Sequence, residues 1–203
     1  MKIVAIGRNY AEHAKEMNSP IPDEPVIFMK PDSAIIINNN PFYYPEFSKN
    51  IHHEVEIVYK ISQTGKNIAK QFAYKYYEEI GIGIDFTARD IQNKCKTDGL
   101  PWEKAKGFDG SAPIGKFQSK SNFENLRNIN FHLDINGKTV QQGNTGLMLH
   151  SIDDIIAHVS SYFTLKKGDL IFTGTPVGVG AVKIGDVLTA FIEGKELLKV
   201  EVK

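Results

Sequence analysis

Apolar and polar residues alternate through much of residues 51–61. Side chains of a β-strand point to opposite faces in turn. Val55, Ile57, Tyr59 and Ile61 therefore share one face, and Glu54 and Glu56 share the other. Short apolar or alternating runs at residues 2–6, 26–30, 34–37, 80–86, 170–173, 187–192 and 197–202 predict further strands. Asn136-Gly137, between runs at 131–135 and 138–141, predicts a hairpin, because Asn-Gly accepts the positive φ angles of a tight turn. A turn is also predicted at residues 38–41 (Asn-Asn-Asn-Pro) and at residues 193–195.

Helical spacing is rarer. It predicts a helix over residues 9–17, with Asn9 as its N-cap. Pro20, Pro22 and Pro25 prevent regular structure from continuing. Residues 69–79 are mixed and read as helical. A helix starting at Thr87 covers 88–96 and stops near Gly99. Ser151-Ile152-Asp153-Asp154 resembles a capping box opening a helix over 155–163. Strands dominate and no regular βαβ alternation exists, so the fold class is α+β with few helices, in one domain over residues 1–203.

Composition narrows the function. At 203 residues the chain is long enough for one sizeable core. Lys+Arg and Asp+Glu both number 24, and no basic stripe appears, which argues against nucleic acid as a partner. The single cysteine, Cys95, has no internal partner and reads as a buried thiol. The first apolar run is too short for a signal peptide or a membrane span, so a soluble, cytoplasmic protein with no membrane partner is expected.

Several motifs fail. Gly81-Ile82-Gly83 lacks the third glycine of a dinucleotide loop, and Gly137-Lys138-Thr139 lacks the upstream glycine of a phosphate loop, having His132 there instead. The glycine-rich residues 174–180 precede no helix and read as a close-packed loop that lets a ligand approach the backbone. His52 and His53 point to opposite faces, so they cannot share one metal.

What remains is acidic. Glu54 and Glu56, held side by side, call for a positive charge between them. Asp85 ends the apolar strand; alone it reads as a cap of the following helix, but with the two glutamates it completes an all-oxygen site suited to Mg²⁺ or Mn²⁺ rather than zinc. His13 and Glu16 stand at i and i+3, where a carboxylate can orient an imidazole as a general base, although the same residues could be an ordinary solvated helix face. Lys106, among aromatics and glycines, could stabilise an anion.

These residues occur in strings that together resemble the fumarylacetoacetate hydrolase family: Gly7-Arg8-Asn9-Tyr10-Ala11-Glu12-His13, Phe28-Met29-Lys30-Pro31, His52-His53-Glu54-Val55-Glu56, the segment from Asp85 to Gln92, Lys104-Ala105-Lys106-Gly107-Phe108-Asp109, and the glycine-rich loop from Thr173. The short chain is similar to the single-domain acylpyruvate hydrolase and oxaloacetate decarboxylase members. The resemblance implies a rolled β-sandwich, usually a homodimer. It implies Glu54, Glu56 and Asp85 as Mg²⁺ or Mn²⁺ ligands, and His13, Glu16 and Lys106 as catalytic residues. Lys30, Arg89, Gln92 and Thr175 match positions near a small 2-oxoacid substrate. One departure is that Gly146 and Leu147 precede Met148, where many members carry a serine and an acidic residue. The activity expected first is hydrolysis of the C–C bond of a 3-acylpyruvate, such as fumarylpyruvate or acetylpyruvate. Oxaloacetate decarboxylation or a 2-hydroxymuconate-type isomerisation or decarboxylation is the alternative, and metal-dependent 2-oxoacid binding without turnover is a third reading.

Overall fold

The computed structural model describes residues 1–17 and 20–203. In chain order the first strands are β1 (Ile3–Gly7), β2 (Val26–Lys30), β3 (Ile35–Ile36), β4 (Ile51–His53), β5 (Val55–Ile61), β6 (Tyr77–Ile84) and β7 (Thr87–Ala88). They are followed by β8 (Ala112–Pro113), β9 (Gln118–Ser119), β10 (Asn130–Ile135), β11 (Lys138–Asn144), β12 (Leu170–Phe172), β13 (Gly180–Ala181), β14 (Val187–Ile192) and β15 (Lys195–Glu201). The α-helices are α1 (Ala11–Glu16), α2 (Arg89–Asp98), α3 (Glu103–Lys106) and α4 (Ile152–Tyr162).

A six-stranded sheet runs β2-β1-β12-β5-β6-β9, and a four-stranded antiparallel sheet runs β11-β10-β14-β15. β14 and β15 pack on β6, and β10 packs on β5, so the two sheets form a sandwich. β1 pairs in parallel with β12, which joins the N-terminal strand to a segment late in the chain. The side chains of Lys2 and Asp169 pair beside that junction.

The face of β5 carrying Val55, Ile57, Tyr59 and Ile61 enters the main core with Ile80, Ile82 and Ile84 of β6. Each such side chain contributes about 1.5–3 kcal/mol when fully buried. The opposite face is also covered, because Val58 packs against Ile3, Ala5 and Phe172 in a second cluster. Glu56 therefore lies on a buried face rather than in water, with 1% of its surface exposed. Gly83 stands opposite Glu56 in the β5–β6 ladder. A Cβ there would come within 2.6 Å of the Phe172 ring, so the Gly-Ile-Gly pattern reflects close packing.

The structure corrects several local expectations. Asn9 is not the N-cap of α1; Tyr10 occupies that position. Asn9 instead ties three segments together: its amide donates to His150 O and Thr173 O at 3.0 and 2.8 Å, and its Oδ1 accepts from His150 N at 2.8 Å. The predicted strand over 51–61 is interrupted at Glu54, between β4 and β5. The segment read as helical over 69–79 is a 3-10 turn, Lys70–Lys75, and then β6 begins at Tyr77. Thr87 lies in a short strand rather than opening α2, and Gly99 ends α2 with φ +65°. The capping box at Ser151 and Asp154 forms, but α4 begins directly after it at Ile152. α3 was not foreseen, because four residues give too little periodicity. Cys95 is buried and free. Among the described residues, no helix is long and apolar enough to cross a membrane.

Candidate active site

Glu54, Glu56 and Asp85 converge at the end of the β5–β6 ladder. Asp85 N donates to Glu54 O at 2.8 Å, so the two backbones are locked together where the strands end. Each of the three residues offers a carboxylate oxygen, and these oxygens lie within 4.8 Å of one another. All three are buried.

Cations balance two of them. Arg89 Nη2 lies 2.5 Å from Glu54 Oε1, and Lys106 Nζ lies 2.8 Å from Glu54 Oε2 and 2.5 Å from Asp85 Oδ2. Lys30 Nζ lies 2.7 Å from Asp85 Oδ1. Among the described residues, Glu56 has only a backbone partner, Gly174 N at 2.7 Å. Burial works against the Glu54 charge, yet Lys106 and Arg89 hold its carboxyl well below the ordinary range. Burial, with Asp85 and Glu54 beside it, pushes the Glu56 carboxyl well above that range. Glu56 is thus a buried carboxylate short of positive charge, and an all-oxygen donor set of this kind fits a hard divalent cation. Asp85 does not cap a helix; α2 has no side-chain cap.

Lys106 sits on α3 and also donates to Thr87 Oγ1 at 2.6 Å, with its ammonium 5.0 Å from the Phe28 ring centroid. Burial lowers its pKa, but Asp85 and Glu54 outweigh that and leave it above the ordinary lysine value. It is a fixed positive charge.

Lys30, matched by resemblance to a position near substrate, lies behind the cavity wall. Its side chain is fully enclosed, ion-paired to Asp85 and hydrogen-bonded to Ser111 Oγ at 2.9 Å, Ser111 O at 3.0 Å and the carbonyl of Lys106. It acts on the site through Asp85, from behind. Lys30→Met is therefore expected to lower the stability of the metal-free protein by about 3 kcal/mol, because breaking a buried pair strands a charge. Urea unfolding in EDTA measures this; a loss below about 1 kcal/mol would mean that Lys106 alone satisfies Asp85.

His13 and Glu16 form the foreseen pair, with Nδ1 to Oε2 at 3.0 Å. Glu16 Oε1 in turn accepts from Gly178 N at 3.0 Å, so the glycine-rich loop anchors α1 over the cavity. His13 lines that cavity, of about 40 Å³, together with Glu54, Glu56, Asp85 and Lys106. Arg89, Gln92 and Thr175 line it as well; Lys30 does not. Arg89 Nη1 donates to Gln92 Oε1 at 2.6 Å, which leaves the Gln92 amide hydrogens free to face the cavity.

Gln141, a residue the sequence did not single out, supports Thr175. Its Nε2 donates to Thr175 Oγ1 at 2.9 Å and its Oε1 lies 2.9 Å from His53 Nδ1. The Thr175 hydroxyl hydrogen therefore stays available to donate elsewhere. The glycine-rich loop brings backbone N–H groups to Glu56 and Glu16 rather than only to a ligand. Gly174 does so with φ +98°, and a Cβ there would lie 2.7 Å from Asn9 Cβ.

Residues 2–203 match the fumarylacetoacetate (FAA) hydrolase C-terminal family. Oxaloacetate tautomerase YcgM of Escherichia coli (strain K12) is 42% identical over 197 residues, 97% of this chain and 90% of that protein. A fumarylacetoacetate hydrolase family protein from Yersinia pestis CO92 superposes with a TM-score of 0.96 at 39% identity, over 100% of this chain and 93% of the other. Fumarylpyruvate hydrolase from Pseudomonas aeruginosa, solved in complex with Mn²⁺ and pyruvate, superposes with a TM-score of 0.93 at 35% identity, over 100% and 89%. With the strand-rich sandwich and the acidic cluster already in place, these matches over nearly its whole length show that the chain belongs to the fumarylacetoacetate hydrolase family.

Proposed function

We propose that this protein moves a proton at C3 of a small 2-oxoacid, interconverting the enol and keto forms of oxaloacetate. The observation that carries this reading is His13: Glu16 holds its Nδ1 at 3.0 Å, and the ring faces the same cavity as three clustered carboxylates. The similarity to an oxaloacetate tautomerase over 97% of the chain supports it.

Glu54, Glu56 and Asp85 are the residues that would hold Mg²⁺ or Mn²⁺. Such a cation, when bound, supplies Lewis acidity to the oxygens of a 2-oxoacid. The protein's own groups do the rest. Thr175 donates its hydroxyl hydrogen to the substrate C1 carboxylate, and the Gln92 amide contributes a second donor. His13, through Nε2, takes a proton from C3, and the oxygen at C2 takes one from solvent to give the enol; the reverse delivers the proton from His13 to C3. Lys106 adds fixed positive charge where the C2 oxygen becomes negative.

A second reading keeps the hydrolysis of 3-acylpyruvates expected from the sequence. The His13–Glu16 pair is also suited to deprotonating a water, and the likeness to a fumarylpyruvate hydrolase favours it. Decarboxylation of oxaloacetate would use the same enolate.

The test follows enol absorbance of oxaloacetate, and pyruvate release from oxaloacetate and acetylpyruvate, with Mg²⁺, Mn²⁺ or EDTA. Enol–keto relaxation accelerated at least about 100-fold over buffer, and abolished by EDTA, is the expected result. Pyruvate released from acetylpyruvate faster than the enol relaxes would replace it with the hydrolytic reading. No turnover of any substrate would leave metal-dependent binding alone.

A further inference from the structure

Two cations in the cavity take no part in pairing the carboxylate cluster. Arg8, just beyond Gly7 at the end of β1, and Lys96, on α2, both line it. Among the described residues, neither side chain makes a hydrogen bond or an ion pair; Lys96 only lies over the Trp102 ring at 5.7 Å. Both are half-buried. Burial first, and then Arg89 and Arg8, pull the Lys96 ammonium below its ordinary value, so the two side chains crowd positive charge into one region.

Their position along α2 orders the site. Arg89, Gln92 and Lys96 stand at i, i+3 and i+7 and form one stripe on the cavity side. Arg89 is bonded to Glu54, at the carboxylate end. Lys96 lies about 10 Å further along the helix axis. Arg8 adopts a left-handed backbone, φ +59°, a conformation that costs energy for a side chain other than glycine, asparagine or aspartate. That backbone accompanies a guanidinium at the cavity wall with no hydrogen-bond or ion-pair partner among the described residues. With a divalent cation held by the buried carboxylates, and two cations without such a partner at half-buried positions of the same wall, the cavity would fit a ligand that is anionic at both ends.

We propose that Arg8 and Lys96 together bind the carboxylate of the substrate distal to the keto acid, and so select 2-oxodicarboxylates over 2-oxomonocarboxylates. This deepens, and rests on, the reading of the cavity as a 2-oxoacid site. Guanidinium and ammonium groups suit a carboxylate through charge-assisted hydrogen bonds, and a methyl group in its place would leave both cations desolvated and unpaired.

The test compares binding of 3,3-difluorooxaloacetate, which has no C3 proton to lose, with binding of 2-oxobutanoate, which carries a methyl group where the distal carboxylate would be. Titration calorimetry uses the Mn²⁺-loaded full chain. The variants are Arg8→Asn, Arg8→Lys and Lys96→Gln; Asn tolerates the left-handed backbone, so it removes the charge without adding strain. Wild type is expected to prefer the dicarboxylate by at least about 30-fold. Arg8→Asn and Lys96→Gln are each expected to weaken dicarboxylate binding about tenfold and monocarboxylate binding less than about twofold, while Arg8→Lys keeps most of the preference. Parallel loss for both ligands, or an unchanged preference in both charge-removing variants, overturns the anchor. If the preference behaves as expected but wild type does not relax oxaloacetate enol, the anchor stands and the proposed activity falls. If wild type relaxes the enol but the preference survives both variants, the activity stands and the anchor falls.

Discussion

Glu56→Gln is expected to abolish divalent-metal binding and cut turnover roughly 1,000-fold while leaving the metal-free protein at least as stable as wild type. The two halves have different causes. Among the described residues, Glu56 is the carboxylate of the cluster with no cationic side chain in ion-pair contact, bonded only to Gly174 N. It is therefore the one most in need of an external cation, and the amide that replaces it carries no charge to attract one. Losing Lewis-acid assistance worth about 4 kcal/mol lowers the rate roughly 1,000-fold. The metal-free protein, however, is relieved of a buried acid crowded by Asp85 and Glu54. Because the folded-state pKa of Glu56 lies above its unfolded value, the folded state binds more protons just above the ordinary carboxylate range. The Glu56 contribution to stability therefore falls as pH rises through that range toward the raised value, and this slope should vanish in Glu56→Gln. Glu54→Gln behaves differently. It also loses metal, but it leaves buried Arg89 and Lys106 short of an anion, and a stability loss of about 3 kcal/mol follows. Mn²⁺ titration, and urea unfolding in EDTA across pH, separate the two. Mn²⁺ binding to Glu56→Gln at wild-type affinity would remove this cluster as the metal centre.

His13→Ala should cut turnover by about 100- to 10,000-fold and change Mn²⁺ affinity little. His13 is not among the clustered oxygen donors, so its loss removes a proton carrier rather than a ligand. Glu16 would keep its bond from Gly178 N, so α1 should stay seated on the glycine-rich loop. Glu16→Gln should give a smaller loss, because the amide oxygen can still orient Nδ1–H but no longer stabilises a protonated ring. Unchanged enol–keto relaxation in His13→Ala would assign the proton transfer to another group, and equal losses of metal affinity and rate would make His13 structural.

Much of the strand framework was legible locally. Residues 187–192 alternate cleanly between buried and half-buried positions, and the observed strand matches the predicted one end to end. The Asn136-Gly137 turn was equally readable, because both residues need positive φ and both have it. Where the expectation failed, local and tertiary demands competed. Asn9 has a good N-cap side chain, but its amide groups are taken by His150 and Thr173, more than 140 residues away. Residues 69–79 have mixed composition, and the pairing of β6 with β5 claims their C-terminal part as strand.

The candidate site divides along the same line. The sequence by itself paired Glu54 with Glu56 and placed Asp85 at the end of a buried strand, but the strand breaks at Glu54, so a period of two alone does not bring the two glutamates together. It also set His13 and Glu16 one helical turn apart. Only the tertiary structure decided which charges meet: that Lys106, 52 positions from Glu54, bridges two of the carboxylates, that Lys30 supports Asp85 from behind, and that Gln141 holds Thr175. Backbone periodicity fixes directions only within one element. Ion pairs between α2, α3, β2 and the β5–β6 end depend on how separate elements pack, and no local repeat encodes that distance.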